Sequence, residues 1–111
     1  MTYVQSLYTE QVDFYGKATS RGTIVDLKQK FVERWPSRVY IIQWNSLRVE
    51  CDQHNSTCVI SGLVDWECRS PSRGARSAGL ANFSVGVIFG AKETTSVYHE
   101  NGSVVTRSAG Q

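Results

Sequence analysis

An α+β domain is what this chain predicts: a bent antiparallel sheet of four to six strands, packed on one long helix and one short N-terminal helix. Three observations point there. Ile24, Leu27, Phe31 and Trp35 fall on one face at helical spacing, and Pro36 stops the run. From Arg38 to Arg107 apolar and polar residues alternate instead, the period of strands. The helical stretch comes before the strands rather than between them, which segregates the two kinds of structure.

Each element has its own signal. Tyr3, Val4, Leu7, Tyr8 and Val12 stand at near-helical spacing and predict a short amphipathic helix over residues 3–12. Val12-Asp13-Phe14-Tyr15-Gly16 predicts a short strand that Gly16 stops. Ser20 is an N-cap candidate for the long helix, Thr23 to Trp35, whose other faces carry Lys28, Lys30, Glu33 and Arg34. Arg38 to Trp44 has apolar residues on both faces and predicts a central strand. Residues 47–51 and 58–68 flank the polar run Asp52-Gln53-His54-Asn55-Ser56-Thr57 and predict a hairpin. A Pro71/Gly74 loop leads to a long strand, Ala75 to Phe89, followed by a turn at Gly90 to Thr94. The last strand-like runs, 95–100 and 103–107, lie either side of Asn101-Gly102, a turn or bulge signal, and residues 108–111 read as a frayed tail.

Composition narrows the function classes. At 111 residues the chain is expected to be a single domain over 1–111. The 41% apolar content, with three Trp, five Tyr and four Phe, is too high for a disordered chain. A net charge of +2 predicts no strong attraction to nucleic acid or to an anionic membrane surface. No apolar run reaches the ~20 residues that a spanning helix needs.

Cys51 and Cys58 end and begin the two arms of the predicted hairpin. Pairing them also pairs Val49 with Ile60 and sets both sulfurs on the apolar face, within reach of a disulfide. The competing reading is two reduced, half-buried thiols. A disulfide implies an oxidising compartment, most simply a bacterial periplasm or the exterior. No signal peptide is legible, so the chain is then expected to be part of a longer precursor. Cys68 shares the parity of Val64 and Trp66 and reads as a small core residue. Three Cys and two His at these spacings match no zinc pattern, and no cofactor motif is present.

Certain residues carry a resemblance: Val12 to Gly16, Phe31-Val32-Glu33-Arg34-Trp35-Pro36, Arg38-Val39-Tyr40, the Cys51/Cys58 hairpin and Glu100-Asn101-Gly102. With the order of elements, they make the chain resemble the NTF2-like (SnoaL-like, cystatin-fold-like) superfamily over roughly residues 6–107. They are similar to domains of alphaproteobacterial exported or multidomain proteins, some beside caspase-like peptidase domains. The resemblance implies a cone closed by helices over the sheet. The first long helix usual in the superfamily is expected to be mostly absent here, reduced to residues 3–10 or cut off ahead of Met1.

An isomerase of such a fold needs a carboxylate base inside the cone and a Tyr or protonated acid as oxyanion donor. Asp13, Tyr15, Tyr40, Asp65 and His99 are the available groups, with Asp13, Tyr15 and His99 the weak catalytic candidates. If Val12 and Phe14 claim the core, Asp13 and Tyr15 are solvated. His54 lies in the hairpin loop. No Ser/His/Asp set, phosphate loop or HExxH motif is visible in the sequence. Phe31, Trp35, Tyr40, Trp44 and Trp66 are candidates to line a pocket, with core packing as the alternative. Arg69, Arg73 and Arg76 cluster near the Pro/Gly loop; they read as a docking patch for an anionic partner or as a solvated loop.

The leading expectation is a non-enzymatic, exported binding or assembly domain. It would dimerise or dock a partner protein through the sheet at Val85, Val87 and Phe89, as in a type IV secretion assembly, without cofactor or metal. The alternatives are a small-molecule binder or isomerase/dehydratase-type enzyme using the cone, and an accessory domain of a caspase-like peptidase.

Overall fold

In a computed structural model, which describes residues 7–90 and 95–108, one sheet and one helix form the domain. The elements run β1 (Tyr8–Phe14), β2 (Lys17–Ser20), α1 (Arg21–Arg34), β3 (Ser37–Ile42), β4 (Arg48–Asp52), β5 (Thr57–Ser70), β6 (Ala75–Phe89) and β7 (Thr95–Arg107). Single 3₁₀ turns at Trp44–Ser46 and Pro71–Arg73 connect them. The sheet has seven strands, more than expected, in the order β2-β1-β7-β6-β5-β3, with β4 also paired to β5.

The helix begins where its cap predicts. The Ser20 hydroxyl accepts a hydrogen bond from the Thr23 amide at 3.2 Å. At the other end Pro36 stops it, and two arginines serve its free carbonyls. Arg38 Nη1 donates to Trp35 O and Arg73 Nη2 to Arg34 O, both at 2.6 Å.

Three expectations are corrected. Tyr8 to Val12 is strand, not helix; residues 3–6 lie outside the described residues. A spacing of four suits a helix turn and two strand periods equally, and Phe14 continues the alternation. β3 is an edge strand, not a central one: β5 is long enough to pair with both β3 and β4 along the same side, and no strand among the described residues lies beyond β3. Asn101-Gly102 is not a turn but the middle of β7, opposite Ser84 and Phe83. A Cβ on Gly102 would come within 2.7 Å of the Asn82 carbonyl oxygen, so the glycine answers a close strand approach. The expected turn at 90–94 lies outside the described residues from 91 onward, as does the tail beyond Ser108, whose amide bonds to Ala78 O.

The hairpin is present with Cys51 opposite Cys58 and Val49 opposite Ile60, and the two cysteines form a disulfide. This bridge points to an oxidising compartment. Cys68 is a buried free thiol. No helix among the described residues is long and apolar enough to cross a membrane.

The core is small. Tyr8, Val12 and Ile24 form it, with Phe14 and Val97 packed alongside; Ile24 is 0% and Val12 1% exposed. Only the first turns of α1 are buried against β1. Leu27 and Phe31, on the same helical face, overhang open space.

Candidate functional site

The overhang makes the site. Between the end of α1 and the concave face of the sheet lies a cleft of about 450 Å³. Phe31 and Trp35 form its helical wall, Tyr40, Val64 and Trp66 its floor, and Arg107 one rim. The register explains the floor: Tyr40 pairs with Trp66, and Val64 with Ala81, so neighbouring strands present these side chains to one face. Trp44, another pocket candidate, is elsewhere and 77% exposed.

Cations stand over the aromatic rings. The Arg73 guanidinium lies 4.8 Å from the Trp35 ring centre, and Arg107 lies 5.9 Å from that of Trp66. Arg73 is tied to Ser70 and to the helix end. Arg107 has only the Ser77 hydroxyl, at 3.4 Å, and no carboxylate partner among the described residues. The loop arginines are therefore not one patch: Arg69 and Arg76 both pair with Glu67, and hold its carboxyl below the usual carboxylate range by their hydrogen bonds.

Phe31 and Tyr40 also line a recess of about 280 Å³ with Phe14, Leu27 and Lys28. Behind it is a polar cluster that crosses the whole chain. Glu100, its side chain 17% exposed, accepts from the Tyr8 hydroxyl at 2.6 Å and from Lys28 Nζ at 2.9 Å. Burial, and then the Glu100 carboxylate, push the Tyr8 phenol far above its ordinary range, so it is a hydrogen-bond donor. Burial and the Cys68 thiol push Tyr40 up to about 12. Burial in turn raises the Cys68 thiol, against the lowering effects of Tyr40 and Arg38.

Asp13 and His99 land on the opposite face. Val12 points to the core, so Asp13 points away from it, paired in register with His99 on the parallel strand β7. Their side chains meet: His99 Nδ1 is 2.9 Å from Asp13 Oδ2, and His99 Nε2 is 3.1 Å from Ser84 Oγ. The sequence shows no Ser/His/Asp set; strand pairing builds one. Gly86, across from His99, leaves room for it, since a Cβ there would stand 2.9 Å from the His99 Cβ.

The other candidates take separate positions. Tyr15 sits in the β1–β2 turn with φ 53°, its phenol raised by burial and by Glu100. Asp65 accepts from Gln43 Nε2, and in the hairpin loop the Asp52 carboxylate accepts from the His54 backbone amide. Val85 pairs with Glu100 and Val87 with Val97, so both face the helix side of the sheet; Phe89 is at the exposed end of β6.

Tyr8, Lys28, Glu100, Arg107 and Ser84 are missed by the sequence reading. A helical assignment hides the parity of Tyr8, and Glu100 carries only a family resemblance. The one signal is alternation: Glu100, Gly102 and Val104 share a parity in β7.

Fold and cleft together are those of an α+β domain with an NTF2-like fold. The chain matches the solved structure of hexachlorocyclohexane dehydrochlorinase LinA-type3 from Novosphingobium barchaimii LL02 with a TM-score of 0.71 at 16% identity, over 96% of this chain and 75% of that one. A structure from Catenulispora acidiphila matches with a TM-score of 0.67 at 16% identity, over 90% of this chain and 73% of that one. No family model matches the chain, and neither does any curated protein.

The expectation of a non-enzymatic binding or assembly domain is overturned. The dehydrochlorinase whose fold the chain shares is an enzyme. The physical reason is that, among the described residues, only the N-terminal turns of α1 pack on the sheet, and an aromatic cleft stays open beside the rest.

Proposed function

We propose that the domain is a small-molecule enzyme of the isomerase or lyase kind, working in the concave cleft. The observation that carries this is the continuity of an aromatic cleft with a carboxylate cluster. Phe31 and Tyr40 line both the 450 Å³ cleft and the recess that holds Lys28, the ion-pair partner of Glu100. Such a site takes a flat apolar body against Trp35 and Trp66. Arg107, without a carboxylate partner among the described residues, takes an anionic or electron-rich end.

Isomerisation and elimination both begin with removal of a proton from carbon. Glu100 is the base in this reading, Tyr8 the donor that holds it, and Lys28 the cation that balances charge as it moves. A dehydrochlorinase performs an elimination, and its fold supports the same class of step here. The Cys51–Cys58 bridge supports maturation in the periplasm or outside a bacterial cell.

The test begins with 1-anilinonaphthalene-8-sulfonate, an aromatic anion, titrated against intrinsic tryptophan fluorescence. Saturable one-to-one binding is expected, weakened at least tenfold by Trp66→Ala or Arg107→Gln. Binding that neither substitution alters removes the cleft as the site. Chloride release from hexachlorocyclohexane then checks the base: Glu100→Gln should lower it about 100-fold or more. Release that survives that substitution removes Glu100 from the role.

A further inference from the structure

We propose a second catalytic site, on the convex face of the sheet, in which Ser84, His99 and Asp13 act as a nucleophile, base and orienting carboxylate for acyl transfer. Its three residues do not line the cleft, although Asn82, Gly102 and Ser103 border both hollows.

The geometry is that of a relay. The Asp13 carboxylate can only accept, so His99 Nδ1 donates to it across 2.9 Å. This leaves Nε2 with its lone pair toward Ser84 Oγ, 3.1 Å away. The hydroxyl proton therefore points at the base that would remove it, within the reach expected of a nucleophile and its base. The His99 side chain is 22% exposed, enough to be reached and enough to be held.

The three residues come from three strands, β1, β6 and β7, joined by backbone pairing. Rigid strands fix the distances without a loop. A polar hollow of about 360 Å³ lies beside them, lined by Ser84, His99, Asn82, Asn101 and Ser103. Asn101 is across from Ser84 in the register. Its Oδ1 accepts from the Gly102 amide at 2.7 Å, and its side-chain NH₂ has no partner among the described residues. That amide is the donor for an oxyanion forming at Ser84.

The reaction that fits is hydrolysis of a small ester. Ser84 Oγ bonds to the acyl carbon while its proton passes to His99 Nε2. The tetrahedral intermediate collapses, the bond to the alcohol oxygen breaks, and the same proton leaves with the alcohol. Water then attacks the acyl-serine, gives one proton to His99, and releases a carboxylic acid as Ser84 Oγ takes that proton back. No redox change or added reactant besides water is needed. The hollow is shallow and polar, which suits a short acyl group over a long chain.

The test uses the whole chain with p-nitrophenyl acetate and with a fluorophosphonate probe. An acetyl or phosphonyl adduct on Ser84, located by peptide mass mapping, is expected, with p-nitrophenolate release above the rate of free imidazole. Ser84→Ala should abolish the adduct, His99→Gln should slow release about 100-fold, and Asp13→Asn about tenfold or more. Ser84→Cys keeps the test open should the alanine variant not fold: its thiol should react with iodoacetamide at least tenfold faster than that of Ser103→Cys. Adducts elsewhere, no adduct, release unchanged by these substitutions, or equal thiol reactivity at positions 84 and 103 would overturn the proposal.

Discussion

Tyr40 shows how one side chain ties the cleft to stability. It pairs with Trp66 and lines the cleft, and burial, then the nearby Cys68 thiol, push its phenol up to about 12. A folded pKa above the unfolded value of about 10 means that the fold favours the neutral phenol. That contribution is whole below pH ~10 and is lost as pH rises from ~10 to ~12. Tyr8 works in the same sense, over a window that opens at the same pH of ~10 and extends higher. The melting temperature is therefore expected to fall as pH rises from ~10 to ~12, and to fall less in Tyr40→Phe; thermal scans across that range measure it. Because Tyr40 is half exposed, solvent screening keeps the effect small. At this scale sequence reading is uneven. Aromatic candidates such as Trp35 and Trp66 are visible by type, whereas Glu100 and Lys28 look like any surface charge until the chain is folded.

Elements whose signal is local are legible. The helix shows its Ser20 cap and Pro36 stop, and β6 its alternation from Ala75 to Phe89. The cysteine hairpin is legible because a polar run separates two strands whose parity aligns the sulfurs. Its disulfide closes a short loop in the unfolded chain, worth about 2–3 kcal/mol in the chain-entropy model. Cys51→Ser with Cys58→Ser is expected to lower unfolding free energy by about that amount in a urea titration. Reduction of the native protein should match it. β1 is misread because Tyr8 and Val12 satisfy two periods at once, and only a neighbour chooses between them. That neighbour is β7, close to the other end of the chain. β3 is misread as central because its two apolar faces have separate reasons. Tyr40 faces the cleft, while Val39 and Ile41 lie exposed on the other side.

For the whole molecule, few residues hold the helix to the sheet. Ile24, fully buried between Tyr8 and Val12, is the helical contribution to that contact. Ile24→Ala is expected to cost about 2–5 kcal/mol, a large part of what a domain of this size has, and to lower the melting temperature accordingly. Calorimetry measures this. A core so concentrated leaves the second half of α1 to overhang the sheet, which is why the cleft is open and lined by aromatic rings.

Local chemistry, read along the chain, determined where the helix starts and stops, that strands follow it from Arg38 onward, and which cysteines lie opposite one another. Only the tertiary structure decided strand order and the faces of β1 and β7. Both polar clusters follow from that decision: Tyr8 reaches Glu100 across 92 residues of sequence, and Asp13 reaches His99 across 86. Their parallel strands are joined by no turn, so nothing near either residue specifies the partner. The register is set instead by burying Val12 against Ile24, which turns Asp13 outward to His99 and Tyr8 inward to Glu100 in one move.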